Sequence, residues 1–145
     1  MARRGSGNSR PATGQPDERT DARERALILL YEAESKGIAP SAVLAAQISP
    51  ADDMTTLLVM GVETNMPALD AVIAQHSTGW TLQRMPTIDR NVLRIAAFEL
   101  MGRAEVPVAV VLDEAVELAK RFSTDDSGRF VNGVLSALVP VLRAA

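Results

Sequence analysis

The side chains best suited to contact a ligand stand together in one segment, Asp125–Leu138, which reads D-D-S-G-R-F-V-N-G-V-L-S-A-L. Arg129, Phe130 and Asn132 offer a cation, a ring that can stack on a base and an amide that can bond a base edge. A helix built only for packing would avoid Asn132 and Gly133, because glycine costs about 1 kcal/mol relative to alanine in a helix interior. A close helix–helix contact also explains these two residues, and physical reasoning alone slightly favours that interpretation.

A second group of cations lies near the start of the chain and consists of Arg19, Arg23 and Arg25. Acids are interleaved with them on the same predicted helix: Glu18, Asp21 and Glu24. The charge pattern by itself favours a solvated helix face with weak i, i+4 ion pairs. The alternative is phosphate contact by the guanidinium groups, for which arginine is well suited. Tyr31, further along, fits either a core position or the end of a ligand groove.

The sequence offers little for catalysis, so we expect no enzyme. The acid pairs, such as Asp125-Asp126, are adjacent on helices and therefore do not share a face; capping and the helix dipole explain them better. His76 is the only histidine and has no nucleophile partner in the sequence. No phosphate-binding glycine loop or nucleophile-elbow motif occurs. We predict neither a metal nor a cofactor.

Composition narrows the class of protein further. The chain has 145 residues, 47% of them apolar and only 3% aromatic, with no cysteine. Alanine and leucine at helical spacing indicate an all-α domain, and the lack of cysteine excludes a disulfide framework. The longest uninterrupted apolar runs are shorter than a membrane span requires, which predicts a cytoplasmic protein. A net charge of −3 argues against a generally basic nucleic-acid surface, so any anion-binding face must be local.

Capping residues, glycines and prolines predict where the helices that position these side chains begin and end. Residues 1–16 carry arginine and no acid, and we expect a disordered basic tail there, followed by one helical domain over 17–145. The first helix is predicted from Asp17 to Lys36, ended by Gly37. We expect a short helix from Ser41 through Ile48, and then another opened by Ser49 or Asp52. Asn65-Met66-Pro67 predicts a break or a kink, and Thr87 is expected to cap the next helix. About seven helices in a compact bundle result.

Several segments in this order resemble the NusB family of bacterial transcription antitermination factors. They are A-R-E-R-A-L-I-L-L-Y-E-A-E (22–34), W-T-L-Q-R-M-P-T-I-D-R-N-V-L-R-I-A-A-F-E-L (80–100), V-P-V-A-V-V-L-D-E-A-V-E-L-A-K (106–120) and D-S-G-R-F-V-N-G-V-L (126–135). The similarity covers residues 17–143 and is weak between Gly37 and Thr78. It implies two packed helical sub-bundles that bind RNA.

The resemblance also implies partners and roles for single residues. Proteins of this family pair with ribosomal protein NusE, recognise boxA-type single-stranded RNA in nascent ribosomal RNA transcripts, and join NusA and NusG at the elongating RNA polymerase. RNA-binding positions map onto Arg19, Arg23, Arg25 and Tyr31 of the first helix, and onto Arg129, Phe130 and Asn132. Partner-facing acids map onto Glu99 and Asp126. Self-association through the RNA-facing surface, giving a homodimer, is a further implication.

One departure from the family pattern affects these expectations. Many relatives have consecutive arginines before A-R-E, whereas this chain reads R-T-D-A-R-E-R, with Asp21 in place of a cation. We therefore expect weak RNA affinity in the absence of NusE. Two alternatives stay open: an accessory domain related to those of ribosomal RNA methyltransferases, and a protein-interaction bundle whose RNA surface has decayed.

Overall fold

A computed structural model describes residues 18–143 and contains six α-helices and one short 3-10 helix in that range. The α-helices are α1 (Glu18–Lys36), α2 (Pro40–Ala45), α3 (Asp53–Gln75), α4 (Thr87–Gly102), α5 (Val108–Phe122) and α6 (Asp125–Leu142), and the 3-10 helix covers Leu82–Arg84. The all-α fold is confirmed. The expected basic tail, 1–16, lies outside the described residues.

Local signals set most helix ends. At the end of α1, Gly37 takes a left-handed conformation with φ of 68°. The backbone N–H of Ile38 then donates to the carbonyl of Ala33, which closes the terminus as glycine-ended helices commonly do. At the start of α3, the Asp52 carboxylate accepts a bond of 2.7 Å from the backbone N–H of Thr55. That backbone bond lowers the pKa of Asp52 below its ordinary value.

Three local expectations differ from the structure. Pro67 does not break the chain but lies inside α3, because Val62, Leu69 and Ile73 on either side of it are fully buried in one core. Their packing offsets the roughly 3 kcal/mol that an interior proline costs. This continuity accounts for the difference between six and about seven helices.

Ile48 lies outside α2 and is fully exposed. Thr87 is the first residue of α4, and Pro86 stands at the cap position.

α4 occupies the centre of the molecule. It packs against α1 and α3 on one side and against α5 and α6 on the other, so it belongs to both sub-bundles. Its residues from Ile95 to Leu100 are all buried, as are Val92 and Leu93. α1 packs on α2, α3 and α4, whereas α5 and α6 pack mainly on each other and on α4. The two segments predicted to bind RNA therefore belong to different sub-bundles.

α3 is the only helix within residues 18–143 that is long and apolar enough to cross a membrane by length and composition. The uninterrupted apolar runs of the sequence did not single it out. Leu58, Val59, Val62 and Leu69 of this helix are fully buried. Because α3 packs against α1, α2 and α4, these buried residues form part of the hydrophobic core.

Candidate nucleic-acid interface

Arg23 lies at the centre of a buried cluster of charges that joins α1, α4 and α5. Its Nε and Nη2 donate to the two carboxylate oxygens of Glu99 at 2.7 and 3.0 Å, and its Nη1 lies 3.3 Å from Glu114 Oε1. Arg103 reaches the same Glu99 carboxylate at 3.1 Å. The side chains of Arg23 and Glu99 are only 3% and 1% exposed.

This cluster removes Arg23 and Glu99 from the surface. Burial acts to lower the pKa of Arg23, but the hydrogen bonds and charges of Glu99 and Glu114 outweigh burial and raise the pKa above its ordinary value. A guanidinium that is enclosed and already paired cannot contact a phosphate, and a carboxylate at 1% exposure cannot meet a partner protein. The expectations that Arg23 binds RNA and that Glu99 faces NusE are therefore corrected: the two residues cross-link the helices.

The remaining predicted residues of α1 stay accessible. Arg19 is exposed in the first turn. Arg25 is half-buried and donates to the backbone carbonyl of Ser49 at 2.9 Å, so one edge of its guanidinium is engaged. Tyr31 is 46% exposed, which excludes a core position.

The first turns of α6 present their predicted residues at the surface. Arg129 and Asn132 are exposed, and Arg129 forms an ion pair with Asp126 one turn earlier on the same helix. Phe130 is half-buried, and its ring lies 5.9 Å from the ring of Trp80 at an angle of 51°. Thr124 caps the helix by accepting a bond of 3.0 Å from the backbone N–H of Ser127. One helical turn thus displays a cation, part of an aromatic pair and an amide.

Gly133 is not explained by close packing. A Cβ placed on it would meet no atom within 4 Å, and both Gly133 and Asn132 are exposed. The interpretation of these two residues as a tight helix–helix contact is therefore wrong. The close approach in this helix occurs at Gly128 instead, where the side chain of Lys120 from α5 lies against the backbone.

The last turn of α5 lies between the two predicted segments, and sequence reasoning missed its cations. Arg121 pairs with Glu24 of α1 at 2.9 Å, and its guanidinium carbon lies 5.1 Å from the centre of the Phe122 ring. Lys120, on the other side of the turn, contacts α6. The adjacent pair Lys120-Arg121 at a helix end was the available signal. This signal is weak, because cations near a helix C-terminus are common for electrostatic reasons.

A pocket of about 360 Å³ opens beside Phe130. Its lining residues are Trp80, Pro86, Asp89, Thr124, Asp126, Ser127 and Phe130. Asp89 is 3% exposed, and its Oδ1 has no hydrogen-bond partner in the described part of the chain. A buried carboxylate oxygen without a donor is costly, but this atom is closed to solvent, so the accessible acid of the pocket is Asp126.

The chain is similar to proteins of one family. The sequence profile of the NusB family matches residues 20–140. The transcription antitermination protein NusB of Acidothermus cellulolyticus is 49% identical over 124 residues, which cover 83% of this chain and 86% of that protein. The same-named protein of Saccharopolyspora erythraea is 45% identical over 129 residues, 85% of this chain and 87% of the relative.

Solved structures give the same result. NusB from T. maritima superposes with a TM-score of 0.77 at 29% identity, covering 90% of this chain and 96% of that one. A crystal structure of antitermination factors NusB and NusE in complex with dsRNA contains a chain that matches with a TM-score of 0.73 at 27% identity. That match covers 85% of this chain and 96% of the other.

Proposed function

The chain belongs to the NusB family, and we propose that it is an RNA-binding transcription antitermination factor that recognises boxA-type RNA together with ribosomal protein NusE. It is not an enzyme. The similar chain solved with NusE and dsRNA supports both classes of partner. In the cytoplasm, the resulting complex acts with NusA and NusG at the elongating RNA polymerase and promotes processive transcription of ribosomal RNA operons.

The observation that carries this proposal is the surface of α6. Arg129, Phe130 and Asn132 are accessible within one turn, and Trp80 adds a second ring beside Phe130. Stacking rings, guanidinium groups and amides are the groups with which proteins hold unpaired bases and the phosphates between them. We assign phosphate contacts to Arg129 and Arg19, stacking to Phe130, and a base-edge contact to Asn132.

The roles on α1 are narrower than the family pattern implies. Arg19 and Tyr31 keep their proposed RNA contacts because both are exposed. Arg25 contributes the part of its guanidinium that Ser49 leaves open. Arg23 is withdrawn from the RNA-binding set because it is enclosed by Glu99 and Glu114.

The partner-binding face is assigned to Asp126 and its surroundings. Asp126 is exposed and lines the pocket that also contains Asp89 and Trp80. Phe130 lines the same pocket, so the proposed RNA and NusE contacts adjoin each other.

Acids on the proposed RNA face keep the affinity of the isolated protein low. Asp126 pairs with Arg129, Glu24 pairs with Arg121, and Asp21 is exposed in the first turns of α1. Each phosphate neutralised on a single strand contributes roughly 0.7 to the slope of log affinity against log salt concentration. We therefore expect a shallow slope without NusE, and a steep slope would contradict this assignment.

A binding titration tests the proposal. Fluorescently labelled RNA containing boxA and a scrambled RNA of the same composition are each titrated with the protein, with and without NusE. We expect tight binding to the boxA RNA only when NusE is present. Equal affinity for both RNAs in the presence of NusE would overturn the proposal and would favour a protein-interaction bundle.

A further inference from the structure

A groove of about 630 Å³ runs between α5 and α6, on the side of α6 that carries Asn132. Its lining includes Lys120, Arg129 and Asn132 together with three acids, Asp113, Glu117 and Asp125. Two of these, Arg129 and Asn132, already belong to the proposed RNA surface. The groove therefore continues that surface across α6 onto α5, where no RNA contact has been assigned.

Gly128 determines where the Lys120 side chain lies. A Cβ at position 128 would come within 2.6 Å of Lys120 Cγ and 3.1 Å of Lys120 Cδ. The Cγ atom is close to the backbone, so it cannot be displaced without changing the rotamer of the whole side chain. The aliphatic part of the Lys120 side chain therefore packs on α6 at a residue without a Cβ, and Lys120 is exposed and lines the groove.

The ammonium of Lys120 is available for a ligand. Arg129 is the other cation that lines the groove, and it pairs with Asp126; Arg121, next to Lys120 in the sequence, pairs with Glu24. Lys120 has no ion pair within residues 18–143, although Asp113, Glu117 and Asp125 line the groove with it. A phosphate that reaches Lys120 need not displace an existing partner.

We propose that Lys120, seated by Gly128, is a further RNA-binding residue that holds a backbone phosphate of the strand as it crosses from α6 to α5. This inference rests on the proposed function and extends it to the α5–α6 groove. Asp113, Glu117 and Asp125 repel phosphates, so the contact depends on the strand being held by Arg129 and Phe130. Base amino groups, which are hydrogen-bond donors, are compatible with these carboxylates.

The lysine content of the chain supplies an internal control. Lys36 and Lys120 are its only lysines. Lys36 lies in the last turn of α1, is exposed and pairs with Glu32 at 2.7 Å. Lysine-selective acetylation of the full chain, read by mass spectrometry with and without boxA RNA and NusE, reports on both sites at once. We expect RNA to protect Lys120 several-fold when it is added to the complex with NusE, and to leave Lys36 unchanged.

Substitutions test the same contact by affinity. Lys120→Gln should lower the salt slope by about 0.7 and weaken RNA binding roughly fivefold at 0.1 M salt, as expected for the loss of one phosphate contact. Lys36→Gln removes the same charge and should change neither quantity. Gly128→Ala should weaken binding in the same direction, and the combined Lys120→Gln/Gly128→Ala variant should bind no worse than Lys120→Gln alone.

The outcomes separate this inference from the proposed function. If the unaltered protein with NusE does not distinguish boxA RNA from scrambled RNA, the proposed function fails. If it does, but Lys120→Gln keeps the original affinity and slope and Lys120 stays reactive in the RNA complex, only the inference is overturned. Protection of Lys120 by NusE alone would assign the groove to the protein partner and would also overturn it. Thermal melting of each variant identifies losses caused by unfolding.

Discussion

The arginine-rich start of α1 and the first turns of α6 were both predicted to bind RNA, yet Arg23 of α1 and Arg129 of α6 lie in opposite surroundings. Arg23 is enclosed by Glu99 of α4 and Glu114 of α5 and is 3% exposed. Arg129 has only Asp126 on its own helix and is 75% exposed. The comparison shows that acids contributed by other elements, rather than the charge pattern of the helix itself, determine whether an arginine serves the fold or a ligand.

The buried and the exposed ion pairs also differ in how much they contribute to stability. A buried ion pair has lost its hydration, so removing one partner leaves an uncompensated charge in the interior. An exposed pair on a helix stays hydrated and contributes little. Substitution of the buried Arg23 should therefore lower stability, whereas substitution of the exposed Arg129 should lower RNA affinity.

The largest expected effect is the loss of stability when Arg23 is substituted. Arg23→Ala should lower the free energy of unfolding by about 3–5 kcal/mol, because Glu99 would remain buried without its main partner. Urea unfolding followed by circular dichroism measures this loss. Replacing Arg23 and Glu99 together by methionine should recover much of the stability, since no buried charge of that pair remains. An Arg23→Ala protein of unchanged stability but reduced RNA affinity would reverse the comparison.

Phe130→Ala is the strongest test of the proposed RNA contacts of α6. It should weaken RNA binding in the presence of NusE by about 1–3 kcal/mol if the ring stacks on a base. The measurement is the boxA titration, paired with a melting curve. Phe130 also contacts Trp80, so loss of folding without a separate loss of affinity would place this ring in the core instead.

Neutralising an acid beside the RNA face should act in the opposite direction. Glu117 is exposed and lines the α5–α6 groove, so Glu117→Gln should strengthen RNA binding a few-fold at low salt, with the gain fading as salt is raised. Asp53→Asn is the matched control, since Asp53 is an exposed acid on α3 outside the groove. An equal gain from both substitutions would indicate a general effect of net charge.

The smallest expected change in stability is that of Arg129→Gln. Arg129→Gln should change the free energy of unfolding by less than about 1 kcal/mol, since its pair with Asp126 is solvent-exposed. The same substitution should lower RNA affinity and the salt slope. A loss of stability approaching that of Arg23→Ala, measured by the same urea unfolding, would show that exposure does not separate the two regions.

Much of the fold was predictable because its signals are local. Gly37 ends α1 and Asp52 opens α3, each by chemistry confined to a few neighbouring residues. Pro67 failed as a local signal, since packing of Val62, Leu69 and Ile73 carries α3 through it. The α6 segment was identifiable because its ring, cation and amide are neighbours in the sequence.

By itself, the sequence determined the all-α fold and most helix ends, because helix periodicity and capping act within one or two turns, and it supplied the candidate RNA-binding residues. Only the tertiary structure decided which of those residues are accessible. The partners of Arg23 lie 76 and 91 positions away on other helices, and no spacing rule within α1 specifies that contact. The seat of Lys120 on Gly128 likewise exists only where α5 and α6 pack, since it depends on the absence of one Cβ on the neighbouring helix.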